Sequence, residues 1–171
     1  AHAWLSRGIF DYVLRDLTGP DGGFYSAEDA DSAPAGPAPS GEGGVAGGGG
    51  HRNVEGAFYV WTQEEIESVL GAEALLVMTH FGVAPDGNVP RALDPHGEFT
   101  GKNILRQRGS ILDTAKAHGL DPEDAATRIA AALERLRAVR AQRPRPLLDD
   151  KIITAWNGLM IGAFARGATC P

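Results

Sequence analysis

The sequence predicts an all-α fold of packed helical hairpins, joined by long loops with short β pieces. Three observations carry this. Apolar residues recur at helical spacing in segment after segment. Glycine or proline ends most of these runs. No alternation of strands and helices of the kind a βαβ sheet needs is present.

Residues 2–17 form the first expected helix. Trp4, Leu5, Ile9, Tyr12, Val13 and Leu17 share one side, and Gly19-Pro20 ends the run. Residues 20–32 follow as a turn and an acidic stretch, "GGFYSAEDADS" over 22–32. Residues 33–54 change character, with eleven Gly or Pro in 22 positions. Such a stretch cannot bury enough surface to offset its ordering entropy, so it is expected to be a flexible insertion.

Order resumes at "EGAFYVWTQEEIESVLG", where "AFYVW" suits a short extended piece. Thr62 and Glu65 have capping-box spacing, so a helix is expected to Leu70 with Gly71 as its stop. A second helix is expected over 72–80. Residues 82–103 hold four glycines, three prolines and three carboxylates and read as a long loop. Helix-like residues run from Ser110 to His118. Asp121-Pro122 then opens a helix with Ile129, Leu133, Leu136 and Val139 on one face. Arg135, Arg137 and Arg140 suit its C-terminal dipole. After Pro146, Asp149 and Asp150 are expected to cap an apolar helix over 152–168, buried because it is apolar on nearly every face.

Composition excludes several classes. The 171 residues carry a net charge of -6, which disfavours nucleic acid as a partner. No run approaches the ~20 apolar residues of a membrane helix. The single cysteine, Cys170, permits no internal disulfide, and a cytoplasmic chain is expected. The N-terminus opens as the middle of a helix, without an initiator Met or signal-peptide layout, so a piece of a longer protein is expected.

Glu28, Asp29 and Asp31 are the candidate catalytic residues. Carboxylates beside aromatic surface and beside each other can be tuned to act as general acid and base, as in glycoside hydrolysis. An Asp-rich turn and an oxygen-ligated cation site are the alternatives, although EF-hand spacing is absent. No metal or cofactor is expected. Tyr25, Tyr59, Trp61 and Trp156 can offer aromatic faces to sugar rings, and Trp156 equally suits a core. Lys151 sits where a helix dipole disfavours a cation, so it is expected to have a carboxylate partner. A partner among residues 28–31 would bring the two motifs into one site. His51, His80, His96 and His118 show no ligand spacing.

Taken together, "GGFYSAEDADS", "EGAFYVWTQEEIESVLG", "GEFTGKNIL" and "RPLLDDKIITAWNGLMIGAFARGA" resemble the DUF255 family of thioredoxin-domain-containing proteins, the YyaL-like and spermatogenesis-associated protein 20 group. The resemblance spans roughly 1–168. It implies that 1–171 is part of an (α/α)6 toroid similar to six-hairpin glycosidases and N-acylglucosamine 2-epimerases, two or three hairpins of it, with 33–54 inserted. It further implies a thioredoxin-like domain elsewhere in the full-length chain. No Cys-x-x-Cys is present, so redox chemistry is not assigned to this piece. The residues matching the family's motifs are Glu28, Asp29, Asp31, Ser32, Glu55, Trp61, Asp149, Asp150, Lys151, Trp156 and Asn157. The implied function is that of a carbohydrate-active domain, a sugar isomerase or epimerase or a glycoside hydrolase. Tyr25, Glu55, Tyr59, Trp61, Asp149, Asp150, Lys151, Trp156 and Asn157 would bind the sugar. The alternative is a non-catalytic binding or scaffold domain accompanying the thioredoxin-like domain.

Overall fold

The computed structural model describes residues 3–34, 53–95 and 97–169. Most of the expected insertion, His51, His96 and Cys170 lie outside the described residues. The protein is mostly helical with a few short strands, and it divides into two compact units.

The first unit comprises residues 1–30 and 146–171. Its helices are α1, Ala3–Asp16, and α6, Thr154–Gly167. Phe10 of α1 meets Phe164 of α6 with ring centroids 4.5 Å apart, and Phe24 stacks on the same ring at 5.5 Å. After α1 the chain reverses: Gly19 N–H donates to the Gly23 carbonyl, and Thr18 bridges to Phe24. The chain then enters β1, Ala27–Glu28, which pairs antiparallel with β4, Leu148–Asp149.

Two expectations for α6 fail. Asp149 and Asp150 do not cap it. Ile153 occupies the cap position and makes no side-chain capping bond, because pairing with β1 draws Asp149 into the ladder upstream. Nor is α6 buried. None of its residues is, and Leu159 is 75% exposed. An apolar periphery predicts burial only where partners surround the helix, and within this unit α1 is the helix packed on it.

The second unit comprises residues 31–145. Strands β2, Asp31–Ser32, and β3, Val54–Glu55, pair antiparallel and bracket the expected insertion. Helix α2, Gln63–Leu70, carries the Thr62–Glu65 capping box, with both reciprocal bonds made. A 3-10 turn over 71–73 leads into α3, Ala74–Phe81, which ends on Gly82 in the left-handed region, φ 63°. Helix α4, Ile111–His118, and α5, Pro122–Arg140, follow, with Ser110 and Asp121 as N-caps.

Ile66, Leu70, Leu76, Val77 and Phe81 pack against Ile129, Ala132 and Leu136 of α5 to form the core. The buried face of α5 is partly one of small residues, Ala125 and Ala132, whereas Val139 near its end is exposed, contrary to the sequence pattern. The "AFYVW" stretch is a turn closed by Tyr59 N–H to the Gly56 carbonyl, 2.8 Å, and not an extended piece. Its one ladder contact is Trp61 with Asn103. That bridge and the Asn103 side chain tie the long loop after α3 to the core. The Asn103 amide accepts from Ala84 N–H at 2.8 Å and donates to the carbonyls of Trp61 and Ala84.

Candidate functional site

In the first unit the two most specific motifs meet through backbone. Ala27 faces Asp149 and Glu28 faces Leu148 across the β1–β4 ribbon, and Asp29 N–H adds a bond to the Leu147 carbonyl at 2.8 Å. Side chains alternate across a strand. This register therefore sends Glu28 and Leu148 to one face of the ribbon and Ala27 and Asp149 to the other.

Glu28 is half-buried and accepts a 2.7 Å hydrogen bond from the Tyr12 hydroxyl of α1. Tyr12 was legible only as one apolar position of an amphipathic helix, and nothing in its spacing marks it as a partner of an acid sixteen positions away. Lys151 pairs with Asp149, Nζ to Oδ2 3.0 Å, two positions upstream, rather than with the 28–31 group. The Lys151 ammonium first, and the Ser26 hydroxyl second, hold the Asp149 carboxyl below the ordinary aspartate range. The Ser26 hydroxyl also donates to the Asp149 carbonyl, 3.0 Å. Asp150 is exposed.

Asn157 works as a clamp. Its Oδ1 accepts from Phe24 N–H at 2.7 Å, and its Nδ2 donates to the carbonyls of Phe24 and Ile153. It thereby fixes the turn that precedes the acids. Tyr25 is half-buried in the same turn. Trp156, one position before the clamp, is 55% exposed, so the core-packing alternative for it does not hold in this chain.

The remaining candidates belong to the second unit. Asp31 and Glu55 face each other across β2–β3. Ser32, next along, is buried, and its hydroxyl has no hydrogen-bond partner among the described residues. Trp61 is 2% exposed, with the Arg143 guanidinium over its ring at 4.0 Å. Tyr59 and Phe58 lie under Arg140 at 5.4 and 5.5 Å. Two of the four aromatic faces expected to receive a sugar, those of Trp61 and Tyr59, thus carry arginines from the end of α5 and the turn after it. The sequence placed that basic cluster only against the helix dipole.

Arg143 is itself buried. It donates to the carbonyls of Phe58 (3.1 Å) and Val60 (2.7 Å) and to Glu65 (3.3 Å). A shallow cleft of about 500 Å³ opens beside it between α2 and the end of α5. No cluster of three or more His, Cys, Asp or Glu suited to a metal ion occurs among the described residues. No helix among them is long and apolar enough to cross a membrane.

Helical packing and a motif-bearing ribbon define the class in structural terms, and comparison with known proteins narrows it. No protein-family model matches the chain. It is similar to spermatogenesis-associated protein 20 of Homo sapiens, 42% identical over 171 residues that cover 94% of this chain and 20% of that protein. The protein of the same name from Mus musculus is 40% identical, covering 96% and 20%. An uncharacterized protein of Caenorhabditis elegans is 38% identical, covering 92% and 21%. These homologues match most of the chain, and the chain spans about a fifth of their length.

Proposed function

We propose that the chain is part of a carbohydrate-active domain, built as a segment of an (α/α)6 ring, in which Glu28 moves the proton. The observation that carries this reading is the Tyr12–Glu28 hydrogen bond. A half-buried carboxylate held in one rotamer by a phenol is the kind of preorganised group that acid–base chemistry uses. The exposed ring of Trp156 supplies a stacking face, and the Asp149–Lys151 pair and Asp150 supply charged groups for hydroxyls. Asp29, in the same unit, is the further candidate for the second carboxylate. Proton transfer at a sugar carbon and protonation of a glycosidic oxygen are both open to such a pair.

The test is incubation of the protein with a panel of aldoses, ketoses, N-acyl amino sugars and aryl glycosides, followed by proton NMR of the anomeric region. The expected result is isomer interconversion or hydrolysis in at least one case, reduced ~100-fold or more in Glu28→Gln. A panel without turnover and without calorimetric binding would end the reading.

A second reading has its own support. Asn157 and Asp149 spend their polar atoms on protein groups, and Trp61 and Tyr59 carry arginines on their rings. These are the marks of a polar network that holds loops in place. On this reading the domain is a scaffold that accompanies a thioredoxin-like domain. Glu28→Gln would then change stability and partner affinity without changing any turnover.

A further inference from the structure

The cleft beside Arg143 lies within the second unit, and the protein does not use all of its polar groups. A guanidinium carries five N–H groups. Arg143 directs two from Nη1 to the carbonyls of Phe58 and Val60 and one from Nη2 to Glu65. Its Nε has no acceptor among the described residues. Within that set, Ser32 Oγ is the side-chain atom that is both fully covered and unpaired. Arg143 Nε is therefore open, although the residue is only 8% exposed, and the cleft is the opening that Arg143 lines. A largely buried donor at such an opening calls for a ligand with an acceptor oxygen.

Charge selects the rest of the ligand. The lining holds two carboxylates, Glu64 and Glu65, against one guanidinium. Glu65 is committed, Oε1 to Arg143 and Oε2 to the Thr62 N–H. Glu64 is the surplus, exposed in the first turn of α2 and one turn before Ser68. Arg135 does not cancel it, because its guanidinium is bonded to the carbonyls of Val69 and Leu70 at the other end of that helix. An anionic ligand would meet both glutamates, whereas a cation beside Glu64 brings the lining to neutrality. Val69 and Val139 add an aliphatic wall, and Val139 is 41% exposed. The volume, about 500 Å³, suits a small ligand or one terminal residue.

We infer that this cleft binds a free α-ammonium group followed by a carbonyl and a small aliphatic side chain, the chemistry shared by a peptide N-terminus and an amino-acid amide. The ammonium pairs with Glu64, the carbonyl oxygen accepts from Arg143 Nε–H, and the side chain lies on Val69 and Val139. Capture of a terminal amine is a recurrent mode of peptide recognition. The site belongs to a different unit from Glu28, so it stands or falls apart from the carbohydrate reading.

The test is an NMR titration of the isotopically labelled protein with L-leucinamide. Shifts should saturate at millimolar concentration and centre on the amides of Ser68, Val69 and Gln142. N-acetyl-leucinamide lacks the charge and isoamylamine lacks the carbonyl, and each should bind at least about 10-fold more weakly. Glu64→Gln leaves the capping box intact and should weaken leucinamide by about 10-fold. Glu67→Gln, on the same helix but outside the lining, should leave its affinity unchanged. A leucine-initiated tetrapeptide that binds more tightly than leucinamide supports a peptide terminus as the source, and one that binds less tightly supports a free amide. Absence of shifts in the cleft, equal binding of N-acetyl-leucinamide, or a Glu64→Gln variant with unchanged affinity would each overturn the inference.

Discussion

The Tyr12 hydroxyl donates a 2.7 Å hydrogen bond to Glu28 Oε2, tying α1 to the first strand of the motif-bearing ribbon. A hydrogen bond to a charged acceptor contributes more than a neutral one, and removing the donor leaves a partly desolvated carboxylate short of a partner. Tyr12→Phe should therefore lower unfolding stability by about 1–2 kcal/mol, measured by urea titration with tyrosine-independent detection. A double-mutant cycle with Glu28→Ala should return coupling of similar size. If the two substitutions add without coupling, the bond contributes nothing to the fold.

His80 gives the stability a pH dependence of definite sign. The imidazole is buried, and burial lowers its pKa from the ordinary value of 6.5. His80 Nδ1 lies 2.8 Å from the Thr114 hydroxyl, a contact the neutral ring makes in either tautomer. A second proton would charge the ring inside the core. The unfolded chain therefore binds more protons than the folded one once the pH falls through about 6.5, and folding stability declines with it. Stability attributable to His80 should be constant above pH 7 and diminished at pH 5.5. The urea midpoint of His80→Gln should change less between these two values than that of the natural sequence, and identical pH slopes would contradict the assignment.

What was legible in the sequence was local. Thr62 with Glu65, and Asp121 with Pro122, announce helix starts because cap chemistry acts within four residues, and both stand where the spacing put them. The ribbon could not be read in the same way. Ala27 and Asp149 are paired by a ladder that joins opposite ends of the chain, and the Asn157 clamp on Phe24 spans 133 positions. Trp61 shows the other kind of failure. An aromatic residue near carboxylates looks the same in sequence whether its face is open or covered, and the covering group is Arg143, eighty-two positions later.

The glycines of α6 separate helix propensity from packing. Gly158→Ala places a methyl group in open space, so the 171-residue chain should gain up to about 1 kcal/mol from propensity alone. Gly167→Ala carries the same intrinsic gain, but its methyl carbon would collide with the Phe10 ring, which is packed on Phe164. That substitution should destabilise. Thermal melts of the two variants should shift in opposite directions, and a stabilising Gly167→Ala would mean the Phe10 ring yields freely.

Asn103 is fully buried at the point where the long loop rejoins the core. Its side chain satisfies one backbone N–H and two carbonyls on two separate segments. Alanine would leave the Ala84 N–H without its acceptor, while the Trp61 and Ala84 carbonyls keep the backbone N–H groups of Asn103 and Gly87, and an unsatisfied group costs about 1–3 kcal/mol. Asn103→Ala should cost about 1–3 kcal/mol, with hydrogen-exchange protection lost first at Ala84. Asn103→Asp, nearly the same shape, should rescue little because it removes two donors and buries a charge. A loss below about 1 kcal/mol would show that the loop docks without this residue.

Arg143 offers the sharpest contrast between charge and shape. Burial acts to lower its pKa and Glu65 acts to raise it, yet a guanidinium stays ionised, so a charge is held in the interior. Three features make this tolerable: two backbone carbonyls accept from one nitrogen, Glu65 accepts from another, and the flat face lies on Trp61 at 4.0 Å. Lysine preserves the charge but has neither the planar fork nor the stacking surface. It would bury an ammonium that cannot serve Phe58, Val60 and Glu65 from one position. Arg143→Lys should therefore cost about 2–4 kcal/mol, close to the loss in Arg143→Met, which removes the charge and leaves the two carbonyls unpaired. Trp61 fluorescence should change in both variants, because both remove the guanidinium plane from its ring. A lysine variant as stable as the natural protein would mean that charge alone, and not the guanidinium plane, holds the end of α5 against the aromatic turn.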